Sequence, residues 1–555
     1  MQENIAIITY ETPFAPRGGI ASVLARLPGS LRSILGRPPA VITPYHHRME
    51  GIITLSMNEV AKFPILYSCR GRPKEKQPVD VSVLLYEDQG CPFYFLRAEN
   101  ENLFAGFPHP YAVDNLLRDS LFFGVATVRA LGHLYPKRSC VLLLQDWEGA
   151  TAVLALQENR TSYRPFITLH NSYDSGALYP EDLEMVGIDP TTCSGPELGS
   201  GVLERAIPLA QEPVFTVSEQ FALDLRQDVL QTRVMAPQLQ TVRQFYPVGI
   251  ANGPFAELGF DRTYTVQGLA GIPYLKQWKI RERARLLDSL ENSAREGNLI
   301  HGSLEGLHGD ESSWIVMAGR DDQRQKGYDV AANAVRRFLE GGGHARFLFF
   351  PIPGDAGNER LEFLRELAED YPLSVIVGQP LPKEHFLSAL HGASYAMMPS
   401  FYEPFGMANE FYMNGLVAIA RATGGIVQQV VPLQAAACFS PAVCRVAERW
   451  HSASSHPTGL LYRERADLPS PIEDWKAIND ACGPIGRVRD QEHDNATFRS
   501  MCDELLLAIK DAVRIFSDAP ELYFSMLLEG VAHIERTFSW ERTAAEYARH
   551  FIIEP

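Results

Sequence analysis

Short, nearly continuous apolar runs alternate along the chain with longer stretches whose apolar residues return every three or four positions. NIAIITY (4–10), PAVITPY (39–45), VSVLLYE (81–87), SCVLLLQ (139–145), PFITLHN (165–171) and PVFTVS (213–218) read as strands. IASVLARLPGSLRSI (20–34) and VDNLLRDSLFFGVATVRAL (113–131) read as helices between them. The rhythm restarts with WIVMAG (314–319), ARFLFFPI (345–352), LSVIVG (373–378), YAMMPS (395–400) and VAIARA (417–422). Strands apolar on both faces and separated by helices predict parallel sheets covered on both sides. The pattern therefore predicts two doubly wound α/β domains in tandem, residues 1–253 and 254–536, hinged near Gly253. In such sheets ligands bind beyond the carboxyl ends of the strands, and two facing sheets make a cleft. A stretch rich in Pro, Gly and charge, 463–500, reads as a surface insertion.

Composition narrows the function classes. The 555 residues carry a formal net charge of −16, which argues against broad nucleic-acid binding, where cationic side chains supply most of the attraction. No apolar run approaches the roughly 20 residues of a membrane span. The start, MQENIAIITYETPF, has no basic region followed by a long apolar core, so no signal peptide is expected. The 8 cysteines show no metal-ligand spacing and fit free thiols in a reducing compartment. A cytoplasmic protein is the expectation.

Candidate chemistry collects just after the predicted strands. Arg17, Gly18 and Gly19 lie between a strand and a helix, where glycine lets the backbone approach a ligand and leaves amides for an anion or hydroxyls. A tight turn explains the same glycines. GRDDQRQKGYD (319–329) puts Arg320 and Lys326 where two cations would neutralise a diphosphate leaving group; a solvated charge cluster is the plainer reading. Thr423, Gly424 and Gly425 offer a backbone nest for phosphate oxygens, or a simple turn. QDWEGA (145–150) and LHNSYDSG (169–176) place Asp146, Glu148 and His170 at strand ends. In FYEPFGMANE (401–410), Glu403 and Glu410 are seven residues apart, about two turns if the segment is helical. Such a pair serves acid/base chemistry on a glycosidic bond or accepts hydrogen bonds from sugar hydroxyls.

In this order the segments resemble the bacterial glycogen and plant starch synthases, retaining glycosyltransferases of the GT-B fold. RGGIASVLARLP, VDNLLRDSLFF, QDWEGA, FITLHN, FTVSEQFA, GIANG, AGRDDQRQKGYD, MPSFYEPFGMANE, ARATGGI and TFSWERTAAEYARHF carry the resemblance, over nearly the whole chain except 463–500. The resemblance implies two Rossmann-like domains facing a cleft, with 537–555 a C-terminal helix returning to the N-terminal domain. It implies a nucleotide-diphosphate sugar and a carbohydrate acceptor as partners, with no metal and no cofactor. Arg320 and Lys326 would grip the diphosphate, helped by Gly424 and Gly425. Glu403 would bind donor-sugar hydroxyls and Glu410 would lie near the ribose. His170 would sit by the donor sugar, Asp146 near the reaction centre or acceptor, and Asn252 in the hinge-side motif.

The chain departs from the family pattern at definite places. Pro16 stands where the family's Lys-x-Gly-Gly loop begins, with Arg17 beside it. Gln145 and Glu148 replace two histidines of His-Asp-Trp-His. Arg320 and Lys326 are one residue further apart than usual, and Glu403 and Glu410 one residue closer. Transfer of an α-glucosyl unit from ADP- or UDP-glucose to a glucan is the leading expectation. Another donor sugar such as mannose, a non-glucan acceptor, and a catalytically weak glucan-binding scaffold are the alternatives. The nucleotide and the oligomeric state have no signature in the sequence.

Overall fold

The computed structural model describes residues 3–68, 75–136, 139–156, 163–192, 200–243, 245–297, 299–320, 322–352, 361–378, 383–480 and 494–551. The chain divides into two compact units, residues 1–253 with 539–555, and residues 254–538. Each is built around one sheet.

The first sheet holds nine strands: β1 (Asn4–Ile8), β2 (Ala40–Pro44), β3 (Asn58–Tyr67), β4 (Gln77–Asp88), β5 (Cys91–Ala98), β6 (Cys140–Gln145), β7 (Tyr163–Leu169), β8 (Phe215–Thr216) and β9 (Val248–Gly249), in the order 3-4-5-2-1-6-7-8-9. Pairings from β5 through β9 are parallel, while β3–β4 and β4–β5 are antiparallel. The antiparallel excursion was not expected, because β3 carries Pro64 and alternates buried with exposed positions. That is the pattern of an edge strand with one wet face. Strand β6 (CVLLLQ) is buried throughout, as a central strand covered on both faces must be. The predicted helix over 20–34 is two helices, Gly19–Leu24 and Leu27–Leu35, with Pro28 in the first turn of the second. Helices Leu116–Leu134 and Asp146–Leu156 pack closely at Gly124, where a Cβ would come within 2.7 Å of the Thr151 backbone. The C-terminal helix Trp540–Phe551 belongs to this unit, with Tyr547 against Phe215 and Phe551 against Phe166.

The second sheet holds β10 (Ile300–His301), β11 (Trp314–Arg320), β12 (Arg346–Ile352), β13 (Val375–Gly378), β14 (Tyr395–Met398), β15 (Val417–Arg421) and β16 (Leu460–Tyr462), in the order 10-13-12-11-14-15-16. All its pairings are parallel except β10–β13. The chain runs outward from β11 in one direction, then returns to lay β14 on its other side. That reversal leaves a crevice at the carboxyl ends of β11 and β14, the position where open α/β sheets bind ligands. In the first sheet the same reversal lies between β1 and β6.

The expected surface insertion needs correction at its ends. Glu464 is 8% exposed and Trp475, on helix Pro471–Asp480, is 4% exposed. Asp474 accepts from the Thr497 amide and hydroxyl, both at 2.9 Å, and so caps helix Ala496–Asp518. Residues 481–493 lie outside the described part of the chain. No helix among the described residues is long and apolar enough to cross a membrane. Cys91, Cys140, Cys438, Cys444 and Cys502 are free thiols; the other three cysteines lie outside the described residues.

Candidate active site

In the second unit, strand adjacency brings together what the sequence keeps almost eighty residues apart. Lys326 follows β11 and Glu403 follows β14, and their side chains pair at 2.8 Å, Nζ to Oε2, with little exposure on either. Ser400 Oγ donates to the same oxygen at 3.0 Å. Arg320 ends β11 and donates from Nη2 to Gln325 Oε1 at 3.0 Å. Gln325 in turn accepts the Phe401 amide on its backbone carbonyl at 2.8 Å, stitching the loop after β11 to the loop after β14. A left-handed glycine makes the approach possible. Gly327 has φ +70°, and a Cβ there would fall 2.2 Å from the Pro399 carbonyl oxygen.

The expected shared helical face of Glu403 and Glu410 is absent. The helix runs only from Ala408 to Met413, so Glu403 lies in the preceding loop and Gly406 (φ +93°) makes the turn. The two carboxyls still act on each other electrostatically. Burial pushes the Glu410 carboxyl up to about 7, the Glu403 charge adds to this, and the Lys326 ammonium opposes it. The Gly424–Gly425 turn also differs from the expected open nest. Gly425 donates its amide to the Glu403 carbonyl at 3.1 Å. Gly424 (φ +47°) sits so close to that oxygen that a Cβ would lie 1.8 Å from it. Part of the reason for glycine there is thus the close passage of the 403–405 backbone. Thr423 is buried beside it.

The first unit gathers its polar groups beyond β1, β6 and β7. Asp146 is buried at φ +53° and accepts from the His170 amide at 2.6 Å and the Asn171 side-chain amide at 2.8 Å. Burial lifts its carboxyl to about 7, helped by the nearby Glu11 charge and opposed by those hydrogen bonds. The Glu148 carboxyl is also raised, by burial first and then by the Asp146 charge. Burial lowers His170 to about 4, so the ring is neutral at pH 7. Its Nε2 lies 2.7 Å from Gln145 Oε1, while Gln145 Nε2 donates to the Leu143 carbonyl. That amide orientation makes His170 Nε2 the donor. Gln145, a departure from the family motif, is therefore a fixed partner of His170.

Glu11 was not singled out in the sequence, yet it organises the glycine loop. Its Oε1 accepts the amides of Arg17 at 2.9 Å, Gly18 at 2.5 Å and Ala21 at 3.1 Å, and Oε2 accepts the Tyr111 hydroxyl at 3.1 Å. The amides expected to be open to a ligand at Arg17 and Gly18 are thus occupied by the chain's own carboxylate. The signal was a carboxylate placed between the strand and the Gly pair. Gly19 has open space where a Cβ would stand. Asn252 is buried next to Gly253, which packs on the Trp540 backbone. Among the described residues, no group of three or more His, Cys, Asp or Glu side chains is placed to hold a metal ion.

Comparison with known proteins agrees with this geometry. Residues 4–236 match the starch synthase catalytic domain family, and residues 301–423 match the family 4 glycosyltransferases of conflict systems. The glycogen synthase of Petrotoga mobilis is 22% identical over 435 residues, 76% of this chain and 83% of that protein. Glycogen synthase 2 of Geobacter metallireducens is 26% identical over 468 residues, 78% of this chain and 85% of that one. The catalytic domain of starch synthase IV from Arabidopsis thaliana, bound to ADP and acarbose, superposes with a TM-score of 0.71 at 16% identity, covering 99% of both chains. With a starch synthase domain in its first half, glycogen synthases as relatives over three quarters of its length and a starch synthase fold throughout, the chain is a divergent glycogen/starch synthase-like glycosyltransferase of the GT-B fold.

Proposed function

We propose that this protein transfers an α-glucosyl unit, with retention of configuration and without a metal, from ADP- or UDP-glucose to a glucan or other carbohydrate acceptor. The observation that supports it most is the convergence of Arg320, Lys326, Glu403 and Glu410 at the reversal between β11 and β14. The two cations suit a diphosphate that must leave carrying negative charge. Glu403, held by Lys326 and Ser400, presents a fixed acceptor to the donor sugar's hydroxyls. Glu410, with its carboxyl raised to about 7 by burial, suits a ribose hydroxyl as donor or acceptor. His170, neutral and fixed by Gln145, serves the donor sugar, and Asp146 the acceptor side; the Arg17 side chain, Gly19, Asn252, Thr423 and Gly424 complete the donor contacts, while the Gly18 and Gly425 amides, already held by Glu11 and the Glu403 carbonyl, shape the loops. In retaining transfer the acceptor attacks the face the nucleotide leaves, so the departing phosphate takes the acceptor's proton. The protein positions the reactants and stabilises the developing charge.

Nucleotide binding tests the site. ADP or UDP should raise the melting temperature of the wild-type protein in EDTA. Arg320→Ala and Lys326→Ala should each slow transfer by about 100-fold or more, the worth of one preorganised charge contact. NMR of the first-formed product should show the α-anomer. An unchanged melting temperature with every nucleotide, or full activity in both variants, rules the assignment out.

A further inference from the structure

We propose that Arg421, buried at the end of β15, is a positioning residue that holds the Glu403 loop, and that the segment carrying Glu464 and Trp475 braces it. This rests on Glu403 serving the donor sugar. Arg421 is 1% exposed. Two of its nitrogens fork onto Glu464, Nε to Oε2 at 2.7 Å and Nη2 to Oε1 at 2.5 Å. The third, Nη1, donates to the Phe401 carbonyl. The indole of Trp475 covers the guanidinium at 5.2 Å and meets the Phe401 ring edge-on at 5.7 Å.

The consequence for the loop is specific. The peptide groups flanking Phe401 are held on both sides: its amide donates to Gln325, and its carbonyl accepts from Arg421. Gln325 also receives Arg320 and adjoins Lys326, the partner of Glu403. Glu403 lies two residues beyond the clamped carbonyl, so motion of that carbonyl is carried directly to it. Only a planar fork with five donors can satisfy a bidentate carboxylate and a carbonyl at once, and a lysine ammonium cannot. Burial would raise the Glu464 carboxyl, but Arg421 and Arg463 hold it down to about 2, so the fork stays ionic at neutral pH. Arg463 also donates to the Ala422 carbonyl, extending the brace to the residue before Thr423. Helix Pro471–Asp480 is itself anchored, through Asp474, to helix Ala496–Asp518. The stretch that resembles nothing in the family thus reaches under the donor-site loop.

The test uses the full chain with Arg421→Lys and, as a variant that keeps apolar burial, Trp475→Leu. Amide hydrogen exchange by mass spectrometry reads the loop, transfer kinetics read its use, and ADP titration counts intact sites. The expected result is exchange in residues 400–406 faster by about 10-fold or more with β11 unchanged. The kcat should fall by about 10- to 100-fold at an ADP stoichiometry equal to wild type. Unchanged exchange in 400–406 overturns the proposal, as does an increase spread evenly over the second unit, or a loss of kcat matched by loss of ADP sites. A wild-type protein that transfers nothing, with the loop still loosened in the variants, sinks the donor-site reading and leaves the brace standing.

Discussion

Replacing Gly424 by alanine tests the Glu403 loop through a single methyl group. The residue sits at φ +47°, where an alanine costs about 1–2 kcal/mol. Its Cβ would lie 1.8 Å from the Glu403 carbonyl oxygen and 2.7 Å from the carbonyl carbon. To reach even the tightest tolerated contact the 403 peptide must retreat by about 1.2 Å, since packed interiors give only slightly around a fixed backbone. That movement also breaks the 3.1 Å hydrogen bond from the Gly425 amide, worth about 1 kcal/mol. Displacing a substrate-positioning group by about 1 Å costs on the order of 100-fold in rate. The kcat of the variant should therefore fall about 100-fold, or about 2.7 kcal/mol. The assay is steady-state transfer by purified wild-type and Gly424→Ala protein, with circular dichroism to establish that both are folded. A variant with wild-type kcat would show that the placement of Glu403 does not govern the reaction.

Two further outcomes follow from the first unit. The carboxyls of Asp146 and Asp174 are raised to about 7 and about 6, chiefly by burial. At these two carboxyls the folded state binds more protons than the unfolded state between about pH 4 and 7, so their contribution to stability falls as pH rises through that window, while buried neutral histidines such as His46 and His170 contribute in the opposite direction. The melting temperature of Asp146→Asn, which tolerates φ +53°, should rise relative to that of the wild-type protein as pH goes from 5 to 8; parallel profiles would contradict this. Glu11→Ala strips the acceptor from three amides and the Tyr111 hydroxyl. It should cost about 2–3 kcal/mol by denaturant titration, and a loss below about 0.5 kcal/mol would refute the organising role of Glu11.

The strands that set the architecture were legible because a strand covered on both faces must be apolar along its length. NIAIITY, SCVLLLQ and WIVMAG all became central strands. Strand β3 was hidden by its wet face and its proline, and β16 by having only three residues. Arg320, Lys326 and Glu403 could be read because cations and carboxylates after apolar strands have few structural uses. Their meeting depended on β14 lying beside β11, which no local pattern encodes. Glu11 and Arg421, and the partnership of Gln145 with His170, escaped notice for a different reason. Each acts on the backbone or on another side chain in the loops, and such partnerships leave no spacing in the sequence. The Gly18 and Gly425 amides were misjudged on the same account, since the groups that fill them, Glu11 Oε1 and the Glu403 carbonyl, are chain atoms brought in by the fold.

The most direct measurement of the central claim is product detection by mass spectrometry. The purified protein is incubated in EDTA with ADP-, UDP- and GDP-sugars and short malto-oligosaccharides. The account predicts extension of the oligosaccharide in hexose steps from ADP- or UDP-glucose, abolished in Glu403→Ala without loss of fold. Absence of extension from every donor, or undiminished extension by Glu403→Ala, would contradict it.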